Sequence, residues 1–392
     1  MDDIQVLVCD DSALMRNLIS RIIDGISGLK VAGTAMNGKF CLQKIPTLKP
    51  DVIVLDIEMP EMNGIQFLEE RRKQGIDIPV IILSSIATKG AAVTMQALEL
   101  GASDFITKPS GSTSSNISSV GGNLVEAVVS YGRRYAMRHG KDVAPVDYYM
   151  QQAKQGEQKT AVLNTSRPQP ASSGTASVPS PSQFFTTSTK KEPTVIEPLR
   201  TPGVIDIVAI GISTGGPNAL REVFSKIPPK FPKPILVVQH MPAGFTKEFA
   251  ASLNRVCPLE VKEAEDGDLI HPGQIYIAPG DSHIVVEKST LCNVIRLSKE
   301  PPRNGHRPSA DVLFESVAKM YQNRALGVIM TGMGRDGAVQ LAEMRKQGAW
   351  TLGQDEKSAI VYGMPKVAYE LGAVQKQVSL ENMADEIAKL VK

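Results

Sequence analysis

The chain has 392 residues, of which 42% are apolar and 21% charged, and its formal net charge is +2. This length and composition suit two soluble domains and exclude a strong overall attraction to nucleic acid or acidic membranes. Because the start MDDIQVLVCDD resembles no signal peptide, no apolar run reaches membrane-span length and the four cysteines show no CxxC spacing, we expect a reduced, cytoplasmic protein without membrane insertion.

The first part of the chain, residues 3 to 109, alternates short apolar runs with stretches of helical periodicity. The β-rich runs are IQVLVC, LKVAGTA, DVIVLDI, PVIILSS and DFIT. Such alternation predicts a doubly wound α/β domain with five parallel strands. A further helical stretch over residues 123–139 is expected to close this unit.

Polar residues occur where the predicted strands of this domain end. Asp10 and Asp11 close the first strand, Asp56 the third, Ser84 the fourth and Lys108 the fifth. Ligands of open parallel sheets bind beyond the carboxyl ends of the strands. Three carboxylates gathered there would repel one another unless they surround a hard cation, and a site of oxygen ligands suits Mg²⁺.

The motifs CDDS, LDIEMPEMNG, ILSS and GASDFITKP give residues 3–125 a close resemblance to the response-regulator receiver domain. The resemblance implies that Asp56 is the phosphoryl acceptor. It also implies a Mg²⁺ site formed by Asp11, Asp56 and the carbonyl of Glu58, with a contribution from Asp10.

The same resemblance implies a switch beside the phosphoryl group. Lys108 would pair with the phosphoryl group, Ser84 would be the switch hydroxyl and Phe105 the rotating aromatic residue. A phosphoryl group adds negative charge and acceptor oxygens, so Ser84 can follow it and the neighbouring surface repacks.

The composition changes after this domain. Of the 26 residues 165–190, 16 are Ser, Thr or Pro. Such a segment buries too little apolar surface to offset its ordering entropy, so it is interpreted as a flexible linker. We therefore predict a receiver over residues 1–125, a helical extension and linker over 126–200, and a second domain over 201–392.

The second domain repeats the α/β pattern. Candidate strands are VIDIVAIGI, PILVVQH, QIYIAP, HIVVE, NVIRLS and LGVIMTG, with helical stretches over 218–226 and 338–347. This predicts a larger, Rossmann-like, mainly parallel sheet. The closely spaced runs IYIAP, HIVVE and VIRLS suggest an antiparallel excursion.

The sequence of the second domain does not fit a DNA-binding output domain. A helix-turn-helix output would be helical and basic, whereas residues 201–392 are strand-rich and carry 22 Lys and Arg against 21 Asp and Glu.

The run GISTG matches G-x-S-x-G between a strand and a helix, which favours Ser213 as an exposed nucleophile. Two interpretations of these glycines compete with this one. A phosphate-binding loop lacks its Gly-Lys-Ser/Thr ending here, whereas a plain glycine turn fits the five-residue motif alone about equally well.

A serine nucleophile needs a base and a residue that orients the base. His240 ends the strand that follows the Ser213 helix, and neighbouring parallel strands would bring the two together. His306, in the polar run NGHRPSAD, is the second candidate base. Asp336 lies beyond another apolar strand, in the glycine-rich run TGMGRDG, and is the candidate third member.

The motifs ISTGGP, QHMPAGFT, EAEDGD, YIAPGD, HRPSADVLF and TGMGRDG make residues 201–390 similar to the chemotaxis protein-glutamate methylesterase domain. The resemblance places the family's catalytic residues on Ser213, His240 and Asp336. Backbone N–H groups of Thr214 and Met333 are hypothesised to hold the oxyanion, and no cofactor is expected for the hydrolysis.

The resemblance implies methylated chemoreceptors as substrate and a chemotaxis histidine kinase as phosphodonor. We expect a monomer in which the unphosphorylated receiver covers the catalytic residues, and deamidation of receptor glutamines is a further activity of such chemistry. Two alternatives stay open here: a non-catalytic adaptor whose binding depends on phosphorylation, and a receiver-controlled hydrolase of another ester.

Overall fold

A computed structural model describes residues 1–84, 88–108, 114–153, 193–289 and 293–391. The predicted flexible linker, residues 165–190, lies outside these ranges, as do Cys292 and Pro109. The other three cysteines are free thiols. None of the helices in the described ranges combines the length and the apolar character that a bilayer crossing requires.

The amino-terminal domain is built on one parallel sheet. Its strands are β1 (Ile4–Cys9), β2 (Leu29–Ala35), β3 (Val52–Asp56), β4 (Val80–Ser84) and β5 (Asp104–Thr107). They lie in the order β2-β1-β3-β4-β5, and every pair is parallel. The predicted five-stranded doubly wound sheet is therefore confirmed. In this order the chain reverses direction across the sheet between β1 and β3, which places a crevice at their carboxyl ends.

Helices cover both faces of this sheet, which is why β3 is buried at every position. They are α1 (Ala13–Asp24), α2 (Gly38–Leu48), α3 (Gly64–Lys73), α4 (Thr88–Glu99) and α5 (Ser114–Arg138). The predicted boundary at residue 125 lies inside α5. A short helix over residues 146–153, α6, packs back on this domain through the buried ring of Tyr149.

Nine strands lie in the described residues of the carboxyl-terminal domain. They are β6 (Ile207–Ile212), β7 (Ile235–Gln239), β8 (Glu260–Glu263), β9 (Gln274–Ile277), β10 (His283–Lys288), β11 (Asn293–Ser298), β12 (Ala325–Ile329), β13 (Trp350–Gln354) and β14 (Lys376–Val378). Seven form a parallel sheet in the order β14-β13-β12-β6-β7-β9-β8, and β10 pairs with β11 in an antiparallel ribbon. The mainly parallel, Rossmann-like sheet is confirmed.

One part of the strand prediction was wrong. The run IYIAP does not join an antiparallel excursion, because β9 lies between β7 and β8 and is parallel to both. Three strands escaped prediction: β8, β13 and β14. The strands β8 and β14 are short strands at the two edges of the sheet, with exposed polar residues that weaken the apolar pattern.

In the part of the chain that the structure describes, six helices flank this second sheet, and the predicted helical stretches over 218–226 and 338–347 are among them. The helices are α7 (Gly216–Lys226), α8 (Phe245–Asn254), α9 (Ala310–Tyr321), α10 (Ala338–Lys346), α11 (Met364–Glu370) and α12 (Leu380–Leu390). The chain leaves β6 first toward β7 and later returns to its other side at β12. The turn after β6 is therefore the topological switch point of this sheet.

Candidate active site

Three neighbouring strands deliver the predicted catalytic residues to one edge of the second sheet. β6 pairs with β7 on one side and with β12 on the other, all in parallel. Ser213 follows β6, His240 follows β7, and Asp336 lies in the loop after β12. The residues are separated in sequence but share one edge, because carboxyl ends of adjacent parallel strands coincide.

The turn that carries Ser213 leaves no space for side chains at its glycines. Gly215 has a φ of 80°, and a Cβ built on Gly216 would lie 1.8 Å from Oε1 of Gln239. Gln239 donates from Nε2 to the carbonyl of Ser213 at 3.0 Å. Helix α7 begins immediately afterwards, so Ser213 is held on a sharp turn at a helix amino terminus.

The three side chains form one hydrogen-bonded chain. Nδ1 of His240 lies 3.1 Å from Oγ of Ser213, and Nε2 of His240 lies 2.8 Å from Oδ2 of Asp336. Since a carboxylate only accepts, Nε2 carries the proton and the lone pair of Nδ1 faces the serine hydroxyl. The arrangement is that of a nucleophile, a general base and an orienting carboxylate, which suits acyl transfer.

The carboxylate of Asp336 is 1% exposed and is held by the start of α9. It accepts hydrogen bonds from Oγ of Ser309 at 2.6 Å, the N–H of Ala310 at 2.7 Å and Nδ2 of Asn304 at 2.9 Å. Burial alone would raise the pKa of Asp336, but the bonds from His240, Ser309 and Asn304 outweigh burial and lower it. Asp336 therefore stays ionised beside the imidazole.

The other histidines have different surroundings. The ring of His306 stacks on His240, with centroids 3.7 Å apart and an angle of 11° between the planes. Burial, and then the neighbouring His240, lower the pKa of His306 to about 4. His283 is buried and accepts from the N–H of Ser309 at 3.2 Å. Of the two candidate bases, His240 is the one that the structure brings to Ser213.

The candidate oxyanion donors lie in turns that adjoin Ser213. A Cβ built on Gly332 would lie 2.7 Å from Cβ of Ser213, so the Met333 turn passes close to the nucleophile. Within the described ranges, neither the N–H of Thr214 nor that of Met333 donates to a backbone carbonyl. Both N–H groups therefore remain available to an acceptor other than the backbone.

A second constellation lies at the crevice of the amino-terminal sheet. Oxygen atoms of Asp10, Asp11 and Asp56 lie within 4.8 Å of one another. Nζ of Lys108 lies 2.7 Å from Asp56 and 3.1 Å from Asp10. Burial raises the pKa of Asp56, although Lys108 opposes this rise. Glu58 follows at an exposed position, and the oxygen-only donor set fits a hard divalent cation.

The predicted switch residues lead away from this crevice toward the second domain. Ser84, at the end of β4, accepts a hydrogen bond from Oγ1 of Thr94 on α4 at 2.6 Å. Phe105 on β5 stacks on Phe245 of α8, with ring centroids 4.9 Å apart. The structure thus places Phe105 in the contact between the two domains.

The α4–β5–α5 side of the first domain packs directly beside Ser213. Oδ2 of Asp104 accepts from the N–H of Gly215 at 3.0 Å, and Oε1 of Glu126 accepts from the hydroxyl of Thr214 at 2.5 Å. Two carboxylates of the first domain therefore bind the two residues that follow Ser213.

Further polar contacts join the same two domains. Nδ2 of Asn218 donates to the carbonyls of Ala102 and Ser103, each at 3.0 Å. The guanidinium of Arg134 donates to the backbone carbonyls of residues 357–359. The side chain of His240 is 7% exposed in this arrangement.

Four residues that contact Asp336 or the Ser213 turn were not predicted from the sequence. Ser309 and Asn304 hold Asp336, and the helix start SAD is a local signal that could have identified Ser309. Asp104 and Glu126 contact the nucleophile turn from another domain, 111 and 88 residues away in sequence. No local sequence pattern predicts a contact between residues so far apart in the chain.

Comparison with known proteins identifies the same two parts. The CheB methylesterase family model matches residues 208–387, and the response regulator receiver domain model matches residues 6–115. A protein-glutamate methylesterase/protein-glutamine glutaminase of Treponema denticola is 56% identical over 387 residues, covering 99% of this chain and 98% of the relative. The equivalent protein of Halalkalibacterium halodurans is 41% identical and covers 99% of each. The Thermotoga maritima CheB methylesterase catalytic domain, a crystal structure, is 38% identical, covers 48% of this chain and 99% of that one, and gives a TM-score of 0.47.

Replacing Ser309 by Ala tests the support of Asp336. Ser309→Ala removes a hydrogen bond to a buried carboxylate, so we expect the kcat for ester hydrolysis to fall about tenfold. Ser316→Ala is the matched control, since Ser316 lies on the same helix and bonds instead to Leu313 and Val286. Equal kcat values for the two variants would contradict a role of Ser309 in the site.

Proposed function

Because the chain belongs to the family of receiver-linked protein-glutamate methylesterases, we propose that Ser213, His240 and Asp336 hydrolyse glutamate methyl esters on chemoreceptors. The observation that carries this proposal is the continuous hydrogen-bonded chain from Ser213 through His240 to Asp336. An enzyme that acts on the cytoplasmic helices of receptors would work in the cytoplasm.

The geometry supports a two-step acyl transfer. Nδ1 of His240 takes the proton of Ser213 while Oγ attacks the ester carbonyl, and the ionised Asp336 stabilises the resulting imidazolium. The backbone N–H groups of Thr214 and Met333 would receive the oxyanion. His240 then protonates the leaving methanol. Water, deprotonated by His240, cleaves the acyl-enzyme and releases the glutamate carboxylate.

The same chemistry accommodates deamidation. The relatives' names include protein-glutamine glutaminase. A glutamine side chain differs from the methyl ester only in its leaving group, which becomes ammonia after protonation by His240. We therefore propose that receptor glutamines are a second substrate of the same three residues.

The receiver would control this activity through Asp56. A chemotaxis histidine kinase would supply the phosphoryl group, Asp10, Asp11, Asp56 and the carbonyl of Glu58 would hold Mg²⁺, and Lys108 would pair with the phosphoryl oxygens. Bound there, Mg²⁺ supplies positive charge that offsets the charge of the phosphoryl group. Lys108 already bridges Asp56 and Asp10, which reduces the repulsion between these carboxylates.

We propose that the receiver, in the position seen here, inhibits the hydrolase. Its carboxyl groups hold Gly215 and Thr214 in the turn where the oxyanion would develop, and its bulk restricts access by a receptor helix. Phosphorylation would act through Ser84, Thr94 and Phe105, the last of which contacts Phe245. A repacked Phe105 would weaken the domain contact and expose Ser213. We take the enzyme to act as a monomer.

Methanol release from methyl-labelled receptor membranes tests the proposed function. With Mg²⁺ and a small-molecule phosphodonor, the wild-type chain should release methanol, and Ser213→Ala should be slower by about 10⁴-fold. Asp56→Asn should keep the basal rate and lose its response to phosphodonor. Chelation of Mg²⁺ should abolish the response of the wild type in the same way.

Each contrary outcome removes one part of the proposal. Methanol release that does not depend on Asp56 would support the esterase activity and contradict the proposed control by phosphorylation. No release from receptors, with hydrolysis of other esters intact, would indicate a different substrate. No hydrolysis of any ester would favour an adaptor.

The buried carboxylates give the inhibition a pH dependence. Burial raises the pKa of Glu126 to about 7 and that of Asp104 to about 6. In a receiver that has left this turn the two carboxyls would be hydrated and their pKa values ordinary, so docking would take up protons. The inhibitory contact should therefore be strongest below about pH 4 and weaken as the pH rises from there to about 7.

Two variants of Glu126 separate its hydrogen bond from its charge. Glu126→Ala loses the bond to Thr214, so the basal rate without phosphodonor should rise several-fold. Glu126→Gln keeps an acceptor without a titrating charge, so the basal rate should stay low. The ratio of basal to phosphorylated rate should then rise less steeply between about pH 5 and pH 8 than in wild type. Glu69→Gln, at an exposed position, is the control; equal basal rates in all four proteins would contradict the contact's role.

A further inference from the structure

His306 lies on a tight hairpin that reaches into the active site. The N–H and C=O groups of Arg303 and His306 bond to each other, both at 3.0 Å. The two residues between them, Asn304 and Gly305, have φ values of 54° and 84°. Two central residues with positive φ are typical of a type I′ turn, for which Asn-Gly is the preferred sequence. This turn fixes the position at which His306 leaves the backbone.

The ring of His306 occupies a side of His240 that the other catalytic residues leave open. Ser213 and Asp336 bond to the two nitrogens at the edge of the His240 ring. His306 covers a face of that ring, 3.7 Å away and nearly parallel. Two edge contacts alone permit the ring to tilt about the line that joins them, and a packed face removes this freedom.

The same hairpin also holds the orienting carboxylate. Nδ2 of Asn304 donates to Oδ1 of Asp336 at 2.9 Å and to Oδ2 of Asp311 at 2.6 Å. His306 and Asn304 are two residues apart, so one short turn supports both the imidazole and its carboxylate partner.

We propose that His306 is a positioning residue that fixes the plane of the His240 imidazole by face-to-face stacking and takes no part in proton transfer. This inference rests on the proposed catalytic role of His240. In this proposal the flat ring of His306 positions His240, and the ring nitrogens of His306 have no catalytic role.

The electrostatics around His306 agree with this role. Apart from burial, His240 lowers and Asp336 raises the pKa of His306, while Arg303, at the base of the same hairpin, pairs with Glu315. Burial and His240 keep His306 neutral at physiological pH, because its pKa lies at about 4. A neutral ring can lie against His240 when the latter becomes positively charged, whereas a second cation would oppose that charge.

Substitutions that keep or remove the flat ring test the proposal. The full chain is assayed with phosphodonor and Mg²⁺, and kcat is expressed per active site titrated with a phosphonylating reagent, so that misfolded molecules do not count. His306→Phe, which keeps a stacking face, should retain kcat within about threefold. His306→Ala should lower kcat about tenfold and change KM much less. His271→Ala, which removes an exposed histidine of the same domain, should match the wild type.

Two results would overturn the proposal. A loss in His306→Phe as large as that in His306→Ala would show that the ring nitrogens matter. A wild-type kcat per site in His306→Ala would show that the stack has no role. Wild type is assayed beside these variants, and an inactive wild type would contradict the proposed function itself and not the role of His306.

Discussion

The hydrogen bond between His240 and the ionised carboxylate of Asp336 is the interaction on which the site depends. It requires that Asp336 be ionised although this residue is only 1% exposed. Burying a charged group is unfavourable unless hydrogen bonds stabilise it. Ser309, Ala310 and Asn304 supply that compensation from the start of α9 and from the neighbouring hairpin. The parallel sheet then brings this carboxylate, the histidine and the serine together, because β12, β6 and β7 are neighbours. The fold thereby sets both the charge of Asp336 and the geometry of His240.

The contact between the two domains uses the same turn as the chemistry. Asp104 and Glu126 bind Gly215 and Thr214, the residues that follow Ser213. Both carboxylates are buried at this contact, and burial raises their pKa values. Burying acidic groups is unfavourable, which agrees with the proposal that the first domain leaves this turn when Asp56 is phosphorylated.

Much of this architecture could be predicted from the sequence, because parallel strands are marked by apolar runs and their polar ends meet at one edge. Asp56, Ser213, His240 and Asp336 were all found at strand ends in this way. The edge strands β8 and β14 were missed since their exposed residues break the apolar pattern. Asn304, Glu126 and the stacking of His306 could not be derived, because each depends on a tertiary contact between segments far apart in the chain.

The most direct test of the central claim is the rate at which a fluorophosphonate reagent labels Ser213, because this reaction needs the catalytic residues and access to them but no receptor. The account predicts slow labelling of the unphosphorylated chain, a clear acceleration with phosphodonor and Mg²⁺, and no acceleration in Asp56→Asn. Equal labelling rates with and without phosphorylation of the wild type would contradict the claim that the receiver controls access to Ser213.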